Sequence, residues 1–153
     1  MKIIAQNKKA RFDYEILEEL EAGVVLTGAE IKSIRQGKVN LKGSYVGASV
    51  HKNTGGLYVK QMHITKYAQT DTPQNPLRDR KLLLHKKEIL RIFSKTTEKG
   101  MAVIPLKLYL KKGYAKLLLG IGKGKKQYDK RRTLKKKAET MEVKQALKRT
   151  GRV

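Results

Sequence analysis

The carboxylates Asp13, Glu15, Glu18, Glu19 and Glu21 crowd into one short stretch. Acids held close together are the raw material of general acid–base catalysis. Their spacing favours a plainer role. Phe12, Tyr14, Ile16, Leu20 and Ala22 alternate with Asp13, Glu15, Glu19 and Glu21, broken only by Glu18. A period of two puts the acids on the outer face of a half-buried strand. The chain has 36 Lys and Arg against 13 Asp and Glu, a formal charge of +23, so such acids balance neighbouring cations. His51, His63 and His85 stand far apart and in no metal-ligand spacing, and the chain has no cysteine. Neither GxxxxGK[ST] nor GxSxG occurs. Gly120 to Lys126 is rich in Gly and Lys but lacks a following Ser or Thr, which argues against a triphosphate-binding loop. The residues therefore point away from catalysis, and no metal or cofactor is expected.

The cations carry the stronger signal. Lys8, Lys9 and Arg11 flank the first strand, and Lys32, Arg35 and Lys38 lie on or just past a predicted helix. Arg78, Arg80, Lys81, Lys86 and Lys87 form a third group, and Lys107, Lys111, Lys112 and Lys116 a fourth. Any single Lys could serve solubility alone, but solubility needs nothing near +23. A charge this large repels itself and calls for a polyanion, with nucleic acid ahead of a membrane surface. The longest apolar runs, such as Leu82-Leu83-Leu84, are too short to span a bilayer, and the N-terminus lacks a signal-peptide hydrophobic region. Lys107, Tyr109, Tyr114 and Lys116 fall on the outward phase of a predicted hairpin. Aromatics interleaved with Lys suit stacking on unpaired RNA bases, though each Tyr could equally cover a barrel rim.

The elements that must position these residues follow from periodicity. Thr27-Gly28-Ala29-Glu30 has the form of a capping box, opening a helix to about Gln36 with Ile31 and Ile34 inward and Gly37 as its stop. Residues 45–51 and 57–64 form a hairpin joined through Asn53-Thr54-Gly55-Gly56. Residues 66–80, with Pro73 and Pro76, form a long surface loop. Lys81 to Leu84 is either a short buried strand or the lead-in to a helix running from Lys86 to about Phe93, with Ile89, Ile92 and Phe93 on one side. A second hairpin pairs Ala102–Leu110 with Ala115–Ile121 around Lys111-Lys112-Gly113, and Pro105 marks an edge or a bulge. About five or six antiparallel strands with two or three short helices predict a mainly β protein, an OB-like barrel over residues 1–122.

Residues 123–153 differ in kind. They carry 13 Lys or Arg, three acids and few large apolar residues. Gly120, Gly122 and Gly124 predict a loosened junction, and 129–149 is rich in helix formers without a single apolar stripe. Such a segment is marginal as an isolated helix. The tail is read as disordered when free and helical when docked on its partner.

Several strings stand out in order along the chain: Ile4-Ala5-Gln6-Asn7-Lys8-Lys9-Ala10-Arg11, Glu21-Ala22-Gly23, Leu26 to Ser33 and Gly37-Lys38-Val39-Asn40-Leu41. Arg80 to Leu84, Pro105 to Tyr109 and Gly122 to Arg131 continue the series. Together they resemble successive blocks of the SmpB family of SsrA-binding proteins. The resemblance implies an OB-like antiparallel barrel that holds the tRNA-like domain of transfer-messenger RNA. It implies delivery to stalled ribosomes in trans-translation, with the tail folding as a helix in the empty mRNA path. Expected partners are that RNA, the ribosome and the elongation factor Tu complex, with the protein a cytoplasmic monomer.

Carried over by position, Asn7, Lys8, Lys9, Arg11, Glu21, Leu83 and Lys116 match family RNA-binding positions. Arg35, Lys38, Lys81, Lys107, Lys123, Lys125 and Lys126 join them as basic candidates, and Tyr128, Asp129, Lys130 and Arg131 fall in the tail segment tied to tagging. Phe12 stands where the family usually has His, and Tyr128 where some members have it. Two rivals stay open: a structural ribosomal protein with an rRNA-threading tail, and an RNA-processing enzyme, for which no plausible site is visible.

Overall fold

The computed structural model describes residues 1–48, 56–70, 73–125 and 127–149. Within them the chain runs β1 (Lys2–Gln6), α1 (Lys8–Asp13), β2 (Tyr14–Val24), α2 (Gly28–Arg35), β3 (Val39–Asn40), β4 (Tyr45–Ala48) and β5 (Leu57–Lys60). It continues with β6 (His63–Ile64), β7 (Arg80–Leu83), α3 (Lys86–Thr96), β8 (Met101–Lys111), β9 (Tyr114–Gly124) and α4 (Gln127–Arg149). Seven strands form one sheet in the order β1-β8-β9-β2-β7-β5-β4, and β3 pairs with β6 apart from it. All of these pairings are antiparallel. The edge strand β4 comes back against β8, so the sheet rolls around its core. The protein is thus mainly β, as the alternating segments predict.

The core is mainly apolar. Ile34, Leu41, Val59, Met62, Leu108, Leu117, Leu119 and Ile121 are each at most 1% exposed. Burying a side chain of this size contributes about 1.5–3 kcal/mol. A smaller cluster of Ala10, Ile104 and Leu106 lies apart, with Tyr14, Ile16 and Leu118 packed against it.

Two bulges set the phase of the long strands. On β2, Ile16 pairs with Gly122 and Glu18 with Ile121, leaving Leu17 as the extra residue. On β8, Pro105 pairs with Leu119 and Lys107 with Leu118, leaving Leu106 as the extra one. Pro105 therefore occupies an interior strand at a place where the ladder is already interrupted, so its missing N–H is tolerated.

The Thr27 capping box forms as expected. Thr27 Oγ1 accepts from the Glu30 N–H at 3.2 Å, and Glu30 Oε1 accepts from the Thr27 N–H at 2.9 Å. Gly37, at φ +74°, ends the segment. Other expectations need correction. Phe12 and Asp13 close α1 rather than open a strand, because the Asn7 side chain caps that helix by accepting from the Ala10 N–H at 3.2 Å. The predicted strand 57–64 is two strands, since Gln61 at φ +60° turns the chain between β5 and β6. Lys81 to Leu83 belongs to a strand, while α3 runs past Phe93 to Thr96 and leaves Phe93 40% exposed. Val50, His51 and Asn53-Thr54-Gly55 lie outside the described residues.

Glycines of β9 do not loosen a junction. A Cβ on Gly120 would meet Leu106 Cδ1 at 2.8 Å, and one on Gly122 would meet the Glu15 carbonyl oxygen at 2.6 Å. They are small because β2 and β8 approach closely, and β9 continues to Gly124. Beyond it, α4 exposes its described apolar residues Leu134, Met141 and Val143. Its links to the barrel include Lys130 Nζ at 3.3 Å from Asp13 Oδ1 and Lys137 Nζ at 6.0 Å from the centre of the Phe12 ring.

Candidate nucleic-acid interface

The outward face of the β8-β9-β2 sheet gathers several of the predicted residues. Glu21 pairs in register with Leu118, Gly23 with Lys116, and Tyr109 with Lys116 from the other side. Alternation then puts Glu21, Lys116, Lys107 and Tyr109 on one face. Leu83 joins them from β7, whose register places it opposite Gly23. A Cβ on Gly23 would lie 3.2 Å from Leu83 Cβ, so the glycine lets the leucine sit close. Glu21, Gly23, Leu83, His85, Glu88 and Lys116 line a cleft there. Leu83 is 57% exposed in it, an apolar surface with a carboxylate and an ammonium beside it.

Glu21 is held rather than free. Its Oε2 accepts from the Tyr109 hydroxyl, and its Oε1 lies 3.7 Å from Lys111 Nζ. The Tyr109 hydrogen bond keeps the Glu21 carboxyl below the usual carboxylate range; partial desolvation opposes this, and Lys111 and Lys116 reinforce it. Burial pushes the Tyr109 phenol well up, with the Glu21 charge adding to it. Tyr109 has the predicted outward phase, yet it is only 4% exposed. A ring so covered offers no stacking face, which leaves Tyr109 the second of its two expected roles, covering the sheet; Tyr114 is 71% exposed.

The N-terminal candidates lie on α1. Lys8 and Lys9 are exposed. Arg11 pairs with Glu19 at 2.7 Å, both well exposed. Asn7 is buried, and its amide nitrogen donates to the Leu41 and Pro105 carbonyls at 3.3 and 3.1 Å while Oδ1 caps α1. Its geometry is that of a fastener between α1, β8 and the residue that follows β3. The base of the tail packs beside this helix. Lys125 N–H donates to the Asp13 carbonyl at 2.9 Å, and Lys125 Nζ to the Arg11 carbonyl at 3.2 Å.

Arg35, Lys38, Lys81, Lys123 and Arg131 are exposed, and Lys107 is half-buried. Arg35 and Lys38, around the end of α2, join neither the cleft nor the α1 group through any described contact. Lys126 and the side chains of Tyr128 and Asp129 lie outside the described residues. Among the described residues, no His, Asp and Glu cluster could hold a metal ion, and no helix is long and apolar enough to cross a membrane.

One basic candidate group divides on inspection. Arg80 is fully buried and donates through Nε to Glu30, through Nη1 to the Met62 carbonyl at 2.6 Å and through Nη2 to the Pro76 carbonyl at 3.1 Å. Arg78 reaches the same Glu30 at 2.6 Å. These arginines fasten the loop before β7 to α2, a role that a list of surface cations does not suggest.

Comparison with known proteins decides the lineage. A family model described as SmpB protein matches residues 4–149. The chain belongs to the SmpB family. Its SmpB relatives include the SsrA-binding protein of Anoxybacillus flavithermus, 55% identical over 148 residues, covering 96% of this chain and 94% of the relative. The SsrA-binding protein of Latilactobacillus sakei subsp. sakei is 51% identical over 148 residues, covering 96% and 92%. Among solved structures, a chain described as "tmRNA-SmpB: a journey to the center of the bacterial ribosome" matches with TM-score 0.65 and 45% identity. That match covers 80% of this chain and 85% of the SmpB-related one.

Proposed function

We propose that this protein binds the tRNA-like domain of transfer-messenger RNA through its barrel and carries it to ribosomes stalled without a stop codon. It works without catalysis, in the cytoplasm, as a monomer, and meets the elongation factor Tu complex on the way. The observation that carries this reading is the cleft where Glu21, Leu83 and Lys116 meet, in a chain whose residues 4–149 match the SmpB family. A carboxylate accepts from base amino or imino groups, an exposed Leu packs on a base face, and Lys neutralises phosphate. Lys8, Lys9 and Arg11 on α1, with Arg35, Lys38, Lys81, Lys107, Lys123, Lys125 and Lys126, add backbone contacts that hold the RNA without reading it. Asn7 acts by fixing α1 in place rather than by touching RNA.

The tail enters the vacant mRNA path of the ribosome, with Tyr128, Asp129, Lys130 and Arg131 at its base. Support comes from the exposure of nearly all the described side chains of α4: a helix that packs so few of them on the barrel takes its shape from a partner. Its exposed apolar residues on a like-charged segment favour an unfolded tail in the free protein and a helix against ribosomal RNA.

Two measurements test the reading. Copurification followed by sequencing of the bound RNA should return transfer-messenger RNA, at substoichiometric levels on ribosomes and enriched on stalled ones. Equal occupancy of all ribosomes would instead mark a structural ribosomal protein. Removing residues 127–153 should leave RNA affinity within about threefold, while abolishing peptide tagging. Complete loss of RNA affinity in the truncated chain would refute the division of labour between barrel and tail.

A further inference from the structure

We propose that Tyr109 is a positioning residue for Glu21, fixing the carboxylate so that it can accept a hydrogen bond from the edge of a nucleobase held in the Leu83 cleft. The inference rests on the cleft's RNA-binding role given above and adds a part that no outward-facing cation supplies.

The geometry is specific. Tyr109 stands on β8 and Glu21 on β2, with β9 between them. Two strand spacings amount to roughly 9–10 Å, more than either side chain spans alone. The Tyr109 ring therefore lies across β9, beside Lys116 with which it is paired, and its hydroxyl donates to Glu21 Oε2. Lying flat is why the ring is covered while sharing a face with the half-buried Lys107 and Lys116. An unsupported Glu on an exposed strand would sample several rotamers and pair with whichever lysine came near. Here one oxygen is committed to a rigid phenol, and the other makes only a looser ion pair with Lys111 at 3.7 Å, which leaves it a lone pair for a further donor.

Every charged group around Glu21 bears on this arrangement. Lys111 and Lys116 approach from β8 and β9, Glu19 lies along its own strand, and His85 and Glu88 line the far wall of the cleft. A hydroxyl donor aimed at the carboxylate stabilises its ionised form, in keeping with the lowered Glu21 titration. The carboxylate is thus anionic and oriented at neutral pH, ready to accept from a donor edge such as an amino or imino group. Acceptors on the base would be repelled, so the pair contributes selectivity as well as affinity.

Tyr109→Phe removes the hydroxyl and keeps the ring. With the tRNA-like domain of transfer-messenger RNA as probe, it should weaken binding about tenfold, a loss of about 1.4 kcal/mol. Glu21→Gln should weaken it at least as much, and the double variant should fall within about twofold of Glu21→Gln alone, because the hydroxyl acts only through the carboxylate. An NMR titration of the Glu21 side-chain carboxyl carbon in the free protein should move upward in Tyr109→Phe, a change that loss of packing alone would not cause. Unaltered affinity in Tyr109→Phe, penalties that multiply in the double variant, or an unmoved Glu21 titration would each overturn the positioning role. Unaltered affinity in Glu21→Gln would overturn the RNA-binding reading of the cleft itself, even if the titration shift were seen.

Discussion

Replacing Glu30 by Ala should cost this fold more than any change to its exposed acids. Glu30 accepts from Arg80 Nε, from Arg78 Nη2 at 2.6 Å and from the Thr27 N–H at 2.9 Å. Arg80 has no exposure, so it cannot turn to water when its counter-ion is removed. Arg78, 40% exposed, can. Breaking a buried pair by deleting one partner typically costs about 3–5 kcal/mol. Loss of the capping contact adds about 0.5–1 kcal/mol. Against a typical domain stability of about 5–15 kcal/mol, that is roughly a quarter or more of the total. Glu19→Gln is the matched control: it removes an ion pair whose partners are 52% and 42% exposed, and should cost under about 1 kcal/mol. Glu30→Gln should fall between them, since its amide oxygen can still accept at the cap.

The pH dependence has a definite sign. Burial alone would raise the Glu30 pKa, but hydrogen bonds from Arg78, the Thr27 N–H and Arg80 outweigh it and hold the carboxyl below its usual value of 4.5. A group whose folded pKa is lowered stabilises fully above its unfolded pKa and loses that contribution as pH falls through the folded one. The stability gap between the natural protein and Glu30→Gln should therefore be constant near neutrality and shrink below pH 4.5. Urea unfolding followed by circular dichroism measures all of these. A Glu30→Ala midpoint matching that of Glu19→Gln would refute the claim that the buried pair holds the loop to α2.

Two further outcomes follow from close contacts and from charge. Gly122→Ala should destabilise by about 1–3 kcal/mol because the new Cβ meets the Glu15 carbonyl at 2.6 Å, whereas Gly28→Ala, with nothing within 4 Å at the start of α2, should be neutral or stabilising by about 0.5–1 kcal/mol in the same urea assay. Binding to transfer-messenger RNA should weaken steeply with salt. Neutralising about six phosphates gives a slope of roughly −4 to −5 in log affinity against log salt. A flat dependence would reduce the basic clusters to solvation.

How much of this was legible in the sequence depended on the range of the interaction. Local chemistry was. Thr27 and Glu30 are three residues apart, and their mutual capping bonds form as their spacing predicts. Alternation along β9 identified the core residues Leu117, Leu119 and Ile121, but on β2 and β8 the bulges at Leu17 and Leu106 reverse the phase, so Tyr14, Ile16, Ile104 and Leu106 pack in the smaller cluster rather than beside Ala22 and Leu108. What failed depended on partners distant in the chain or on a missed local cap. Arg80 reads as one more surface cation until the fold brings it to Glu30, fifty residues away. Phe12 and Asp13 fit the alternation of β2 until the Asn7 cap claims them for α1. Gly120 and Gly122 of β9 resemble a hinge in one dimension and mark tight packing against Glu15, Ile16 and Leu106 in three. Tyr109 shows the distinction most sharply. Periodicity assigned its face correctly, but a face does not say whether a ring stands up to meet a base or lies down to meet a carboxylate. That is settled by the residue two strands away. Glu21 makes the difference between a stacking platform and a support for an acceptor, and it does so on the face that Lys107 and Lys116 make cationic.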